Sequence, residues 1–437
     1  MKTEKLMMTR EDFDLRLAEL QGGENAEQPA LLSINADLGN MPDEGSGWRN
    51  LLDAIEEASK YVDLNLSACT MNGSGFNPGT GIKTGKEKIV AIALPENAKS
   101  IGLNPVNEKH TFKHFSNLKT ISGKGIESIW DYAFYDCKEL ASVGFPSVKD
   151  IGEDAFCNCE NLVSEDFPEA ETKGKSAFSG CENFVIANFP LANSIEEDTF
   201  NRCINLTRVG FPAAAKLSDF VFTNCQSLTE FVLLGDGCLS LIENGKALVR
   251  DNELVAYPSA SGSVSLDKIT NIIGGAFSYC ENLVSVDFSL VVNIGEESFS
   301  YCNNLVSVNF PLVESIGNGA FFCCRRLSNV DFPSAISIGE DAFIECTGLV
   351  GVNFPLISNI GKSAFFGCKS IVREDIQKKV NIDSCTFEKN YEETFCDGTL
   401  ISNGGLSTRK SMREFDLWMF SCIEEVMDKV KEGGEKC

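Results

Sequence analysis

Between Asn304 and Cys324 the chain reads "NLVSVNFPLVESIGNGAFFCC". Leu305, Val308 and Phe310 are apolar, and the last two are separated by one polar residue. That spacing predicts a short strand with one face turned inward. Pro311 has no N–H to donate and ends the strand. Ile316 turns inward again, Gly317 predicts a tight turn, and Ala320, Phe321 and Cys324 are expected to fill the return side. Near-copies flank this stretch: "NLVSVDFSLVVNIGEESFSYC" before it and "RLSNVDFPSAISIGEDAFIEC" after it. The phenylalanine of the "AF" position falls at Phe134, Phe156, Phe178, Phe200 and Phe222, then at Phe277, Phe299, Phe321, Phe343 and Phe365, stepping by 22 residues within each block. Phe112 and Phe387 continue the series as degraded end copies. A fixed period in the twenties predicts a solenoid with one short strand per unit. Each unit holds half a core, which its neighbours complete.

The interval from Phe222 to Phe277 is 55 residues, 33 longer than the repeat step. Within it, "KALVRDNELVAYP" predicts a hairpin around Asp251-Asn252. Two readings stand: a decorated repeat that keeps the stack, or a bend that divides it into two arms. Glu165 and Glu374 occupy a valine slot, and Lys173 an isoleucine slot. Lone buried charges are costly. Either Glu165 pairs with Lys173, or the unit loosens and exposes them; loosening is the expectation. Thr9 to Leu20 predicts a short helix with Phe13, Leu17 and Leu20 on one side, and residues 21–47 a linker. "WRNLLDAIEEASKYV" predicts a helix with Leu51, Leu52, Ile55 and Ala58 on one face, followed by a first strand in "YVDLNLS". Near the other end, "SMREFDLWMFSCIEEVMDKVKEGG" predicts a helix opened by a Ser411/Glu414 capping box, either a lid over the last repeat or a dimer or partner helix. The organisation expected is a tail and linker (1–47), a helical cap with first strand (48–88), a first arm (89–236), a hairpin insertion (237–271), a second arm (272–390) and a C-terminal region with a capping helix (391–437).

Ten of the 18 cysteines share one slot of the repeat. In the first copy that slot holds Phe115, which argues that packing matters there more than sulfur. The expected role is a small buried filler, not a redox or metal ladder. The close pairs Cys157/Cys159 and Cys323/Cys324 lack zinc-site spacing, so neither metal nor cofactor is expected.

Over roughly residues 89–390 the unit I-G-x-x-A-F-x-x-C-x-x-L-x-x-V-x-F-P resembles the BspA-like leucine-rich repeat proteins of bacteria and some protists. The resemblance implies an α/β repeat fold: a curved leucine-rich-repeat solenoid with a parallel concave sheet, 22-residue repeats and helical caps at both ends. It also implies adhesion and protein binding, usually at a cell surface.

The formal charge of −25 repels nucleic acid and anionic lipid. No apolar run approaches the ~18 residues of a membrane span, so no membrane insertion is expected. Met1 to Arg10 lacks the apolar core of a secretory signal, which keeps a cytoplasmic location open beside the surface one. The only histidines, His110 and His114, sit in no catalytic motif. The Gly-rich "GSGFNPGTG" lacks the lysine and helix context of a phosphate loop. An enzyme is not expected.

What remains is a surface. One outward residue lies between the inward Val and Phe of each strand. In the first arm it is Gly144, Asp166, Asn188, Gly210 and Val232. In the second it is Asp287, Asn309, Asp331, Asn353 and Asp375, an unbroken alternation. Successive aspartates would lie about 9.6 Å apart, near the screening length, which limits their repulsion. Ser285, Ser307, Asn329, Gly351 and Arg373 flank the stripe. It reads either as a merely solvated strand face or as the ligand-binding face of Asp287, Asn309, Asp331, Asn353 and Asp375 with Ser285, Ser307 and Asn329. In the second case it suits a Lys/Arg-bearing protein, such as a host extracellular-matrix protein, and makes the chain an adhesin or surface scaffold. A glycan, a Ca²⁺-bridged ligand or an intracellular scaffold are the alternatives; the lack of aromatic residues along the stripe favours protein.

Overall fold

The computed structural model describes residues 8–102 and 110–371. The C-terminal helix expectation, Glu374 and Asp375 lie outside the described residues. Within them the chain winds as a parallel β-solenoid with two ladders. The front ladder is built from sheets of five, four and five strands, beginning at Ala30–Ser33 and ending at Gly351–Asn353. The back ladder holds the two-residue strands that follow each front strand, such as Ser315–Ile316 and Ser337–Ile338. Registers step by one repeat: Val286 pairs with Val308, and Ile316 with Ile338.

The core is a column of rings. Phe299, Phe321 and Phe343 stack nearly parallel at 5.2 and 5.1 Å between centroids, and each is fully buried. A second column, Phe288, Phe310, Phe332 and Phe354, runs beside it at 5.8–6.1 Å. Toward the N-terminus Phe76 and then Trp48 extend the first column.

The repeats themselves are all-β rather than α/β. Among the described residues both α-helices, Arg10–Glu19 and Gly47–Ala58, precede the repeats. The return side is a pair of turns instead, with left-handed residues such as Glu297 and Tyr301 in one unit and Asp341 and Glu345 in another. A span of about six residues at 1.5 Å rise cannot carry a helix back across a layer, whereas turns can. Gly317 also differs from expectation. Its φ is not positive; a Cβ there would lie 2.6 Å from Glu296 N and 2.7 Å from Gly295 C. The glycine is required because adjacent rungs touch, and the turn itself is made at Gly319, with φ 57.

The sulfurs do more than fill space. Cys324 Sγ donates to Phe299 O at 3.1 Å, Cys346 to Phe321 O at 3.0 Å and Cys203 to Phe178 O at 3.2 Å. Each thiol thus reaches the ring-bearing residue of the preceding unit. That carbonyl already accepts its own unit's N–H, as Phe299 O does from Cys302 N at 3.2 Å, so its second lone pair is satisfied too. Burial pushes the thiols up, Cys137 and Cys368 to about 12, which keeps them protonated donors.

The predicted linker contains the outermost strand. Ala30–Ser33 pairs in parallel with Val62–Asn65, so "YVDLNLS" supplies the second strand rather than the first. Ala30, Leu32, Ile34, Ala36 and Leu38 are buried in strict alternation. The first helix forms as expected, opened by a reciprocal Thr9/Asp12 capping box with Phe13 and Leu17 buried.

Lys173 contradicts the expected loosening. It pairs in register with Ile151 and is 1% exposed. Its Nζ donates to Ala170 O at 2.7 Å and lies 4.7 Å from the Phe189 ring centre, which replaces part of the lost hydration. The ladders are interrupted at this unit. The front one lapses just before Ser164–Asp166 and the back one just after Thr172–Lys173.

The insertion forms a three-stranded antiparallel meander, Leu239–Ile242, Ala247–Arg250 and Glu253–Ala256, whose last strand pairs in parallel with Asn271–Ile272. Leu248 and Val255 face the first core; Ala247, Val249 and Leu254 face the second. The stack nevertheless continues on the return side, where Phe220 N–H donates to Gly274 O at 3.2 Å. The insertion keeps the backbone stack and divides the hydrophobic core in two.

Candidate binding face

In the second arm, Asp287, Asn309, Asp331 and Asn353 are all exposed, as are Ser307 and Asn329, while Ser285 is half-buried. The register sets Asp287 beside Asn309 and Asp331 beside Asn353. Asn309 Nδ2 donates to Asp287 Oδ1 at 2.7 Å, and Asn353 Nδ2 to Asp331 Oδ1 at 2.9 Å. The alternation therefore does more than space charges. Each amide holds the carboxylate of the rung before it, so the stripe consists of oriented Asp–Asn pairs.

The stripe starts one rung earlier than the repeat signature indicates. Gly262–Ser265 pairs with Leu283–Asp287, setting Ser263 beside Ser285 and Ser265 beside Asp287. Ser285 Oγ donates to Ser263 Oγ at 2.8 Å. The signal was present as "SVSL", with Leu266 in place of the usual phenylalanine, but the insertion breaks the phase that would have found it. The strand pattern also missed two apolar margins. Leu290, Leu312 and Leu356 follow the front strands, Val350 precedes Gly351–Asn353, and Val284 is the second residue of Leu283–Asp287; all five are 43–62% exposed.

The first arm's outward positions are different. Gly144 and Asn188 are exposed, Gly210 is buried and Val232 half-buried. Beside them the paired Arg208 and Glu230 form an ion pair at 3.4 Å. His110 lies against the rings of Tyr132 and Tyr135, at 5.5 and 4.9 Å. Burial and three lysines lower the pKa of His114. Among the described residues no three His, Cys, Asp or Glu side chains gather as metal ligands would, and no helix is long and apolar enough to cross a membrane.

A family model described as a BspA type leucine rich repeat region matches residues 106–229 and 267–394. The chain belongs to this family. The gap in the match coincides with the meander, as expected for an insertion into an otherwise regular BspA-type array. No curated protein matches the sequence. Among solved structures, a leucine-rich repeat protein from Bacteroides ovatus is 25% identical, with a TM-score of 0.42, over 68% of this chain and 82% of its own. A leucine rich cell surface protein from Faecalibacterium prausnitzii is 22% identical, with a TM-score of 0.42, over 59% of this chain and 83% of its own. The pneumococcal vaccine antigen PcpA is 16% identical, with a TM-score of 0.44, over 71% and 87%. The family assignment rests on the repeat match, not on these superpositions.

Proposed function

We propose that this BspA-type repeat protein is a non-enzymatic protein-binding solenoid, an adhesin or surface scaffold that recognises a host or matrix protein through the front face of its second arm. The observation that carries the reading is the row of oriented Asp–Asn pairs at Asp287/Asn309 and Asp331/Asn353. Side chains held in place before binding lose little entropy on binding. Carboxylates with amide donors beside them suit Lys- and Arg-bearing protein surfaces. The surface location follows the family.

A second reading, glycan binding, draws on the return side, where the Tyr279 and Tyr301 rings stack at 4.4 Å and Phe322 lies 5.3 Å from Tyr301. The test is a binding screen of the full chain against extracellular-matrix proteins and glycans, beside an Asp331→Lys/Asn309→Lys variant whose fold is checked by circular dichroism. A protein ligand lost in the variant supports the binding face. Protein binding that survives both substitutions removes it, and glycan hits unaffected by them move the site to the return side.

A further inference from the structure

Along the second arm the Asn–Asp bonds join the rungs in twos, Asp287 with Asn309 and Asp331 with Asn353. The carboxylates therefore recur every second rung, an interval of about 9.6 Å at ordinary strand spacing. A ligand backbone laid along the stack meets both charges in one conformation only if its own repeat matches. Two turns of α-helix rise about 10.8 Å. Two residues of strand rise about 6.7 Å. One three-residue turn of polyproline II rises about 9.3 Å, a mismatch of only ~0.3 Å per charge.

We infer that this face takes a basic polyproline II segment with Lys or Arg at every third residue; the inference rests on the binding-face reading above and gives it a ligand class. The apolar margins supply the rest of the fit. Leu290, Leu312 and Leu356 stand three residues after the stripe's Asx positions and Val284 and Val350 three before, all exposed, with Ser334 and Ser328 in those places at the Asp331 rung. They offer walls to pyrrolidine rings, while each Asn amide engages only Oδ1 of its aspartate. A segment already extended in solution gives up little chain entropy on docking. The first arm has no such match, because Gly144, Gly210 and Val232 interrupt its row.

The experiment is isothermal titration of the full chain with three synthetic peptides. These are a Lys-Pro-Pro repeat, an isomer of the same composition with unevenly spaced lysines, and a Glu-Pro-Pro repeat. The Lys-Pro-Pro peptide is expected to bind about tenfold more tightly than the isomer, with the Glu peptide silent. Asp287→Asn with Asp331→Asn, both exposed positions, should abolish the preference. Equal binding of the two lysine peptides, or binding indifferent to the double substitution, overturns the inference. If a matrix protein is still lost on Asp331→Lys/Asn309→Lys while the two lysine peptides bind alike, the binding face stands and the polyproline ligand falls. If neither the protein screen nor the peptides respond to substitutions on the stripe, both fall together.

Discussion

The two arms share one unit but differ in where they tolerate polarity. In the second arm the charges of the front face lie outside the core, and the slots within are filled by Leu, Ile, Val, Phe, Ala and Cys from Ala276 to Cys368. Among the described residues the first arm buries three acidic or basic side chains, Asp154, Lys173 and Asp198. Lys173 is buried on the back ladder, and Asp198 is 4% exposed at a return-side turn, where Asn201 Nδ2 donates to it at 3.2 Å. Desolvation pulls the lysine down to about 7, with Glu171 and Asp150 opposing. Desolvation and Glu197 push the aspartate up to about 7. An array stabilised by nearest neighbours can absorb a defect in one unit because the cost stays local. The lesson is that regularity matters most where a surface must repeat, and the first arm, whose outward row is broken, shows the irregular interior.

The largest expected effect tests whether the arms are separate in energy as they are in core. Phe321→Ala removes a ring stacked on both sides and should cost about 3–5 kcal/mol. Because the meander is one strand thick between the cores, hydrogen exchange should quicken in residues 262–371 and stay near wild type before residue 230. Uniform acceleration in both arms would show a single cooperative unit.

Next comes the buried lysine. Lys173→Met should stabilise the first arm by roughly 1–3 kcal/mol at pH 6, where the wild-type group is charged and buried. The pH profile gives the sign. Lys173 is pulled below its ordinary 10.5, so the folded state binds fewer protons than the unfolded one, and stability rises with pH from about 7. Asp198 is pushed above its ordinary 3.8, so the folded state binds more, and stability falls as pH rises toward about 7. First-arm stability should therefore pass through a minimum near neutrality, read by denaturant melts below the range where the thiols ionise. Lys173→Met should flatten the alkaline limb and Asp198→Asn the acid limb. A flat wild-type profile would contradict both assignments.

A smaller effect should be common to both arms. Cys324→Ala and Cys203→Ala each remove a buried sulfur and its bond to the preceding unit's carbonyl. Each should cost about 1–2 kcal/mol. A cost confined to one arm would tie the thiol's role to local packing alone. The smallest is at the surface. Asn309→Asp replaces a donor with a carboxylate beside Asp287 and should cost less than about 1 kcal/mol. Its signature is a raised Asp287 pKa by NMR, because the register sets the new carboxylate directly beside Asp287.

Much of this was legible because the repeat states each slot ten times. The strand residues, the Phe column, the hairpin and both N-terminal helices follow from periodicity and capping residues. The outermost strand, Ala30–Ser33, was hidden because it carries alternation without the repeat's Phe and Pro, and its flanks are rich in turn formers. Lys173 was misjudged because sequence shows the charge but not the Ala170 carbonyl and the Phe189 ring that receive it. The stripe's positions came from counting, while its Asn-to-Asp bonds depend on rotamers and rung contact that no linear pattern contains.

The thiol bonds bear on how such a chain can change length. Nine of the ten slot cysteines donate backward by the same offset of 25 residues, as Cys181 does to Phe156 and Cys368 to Phe343, while Cys280, just after the insertion, reaches Tyr257 and Pro258. A duplicated unit arrives with its own donor for the carbonyl before it and its own carbonyl for the donor after it. Unequal recombination between gene copies of the 22-residue unit would thus add or delete whole rungs without orphaning a polar group at the seam. Reach, in this protein, is a trait that inheritance can adjust in single steps while the interior chemistry stays as it was.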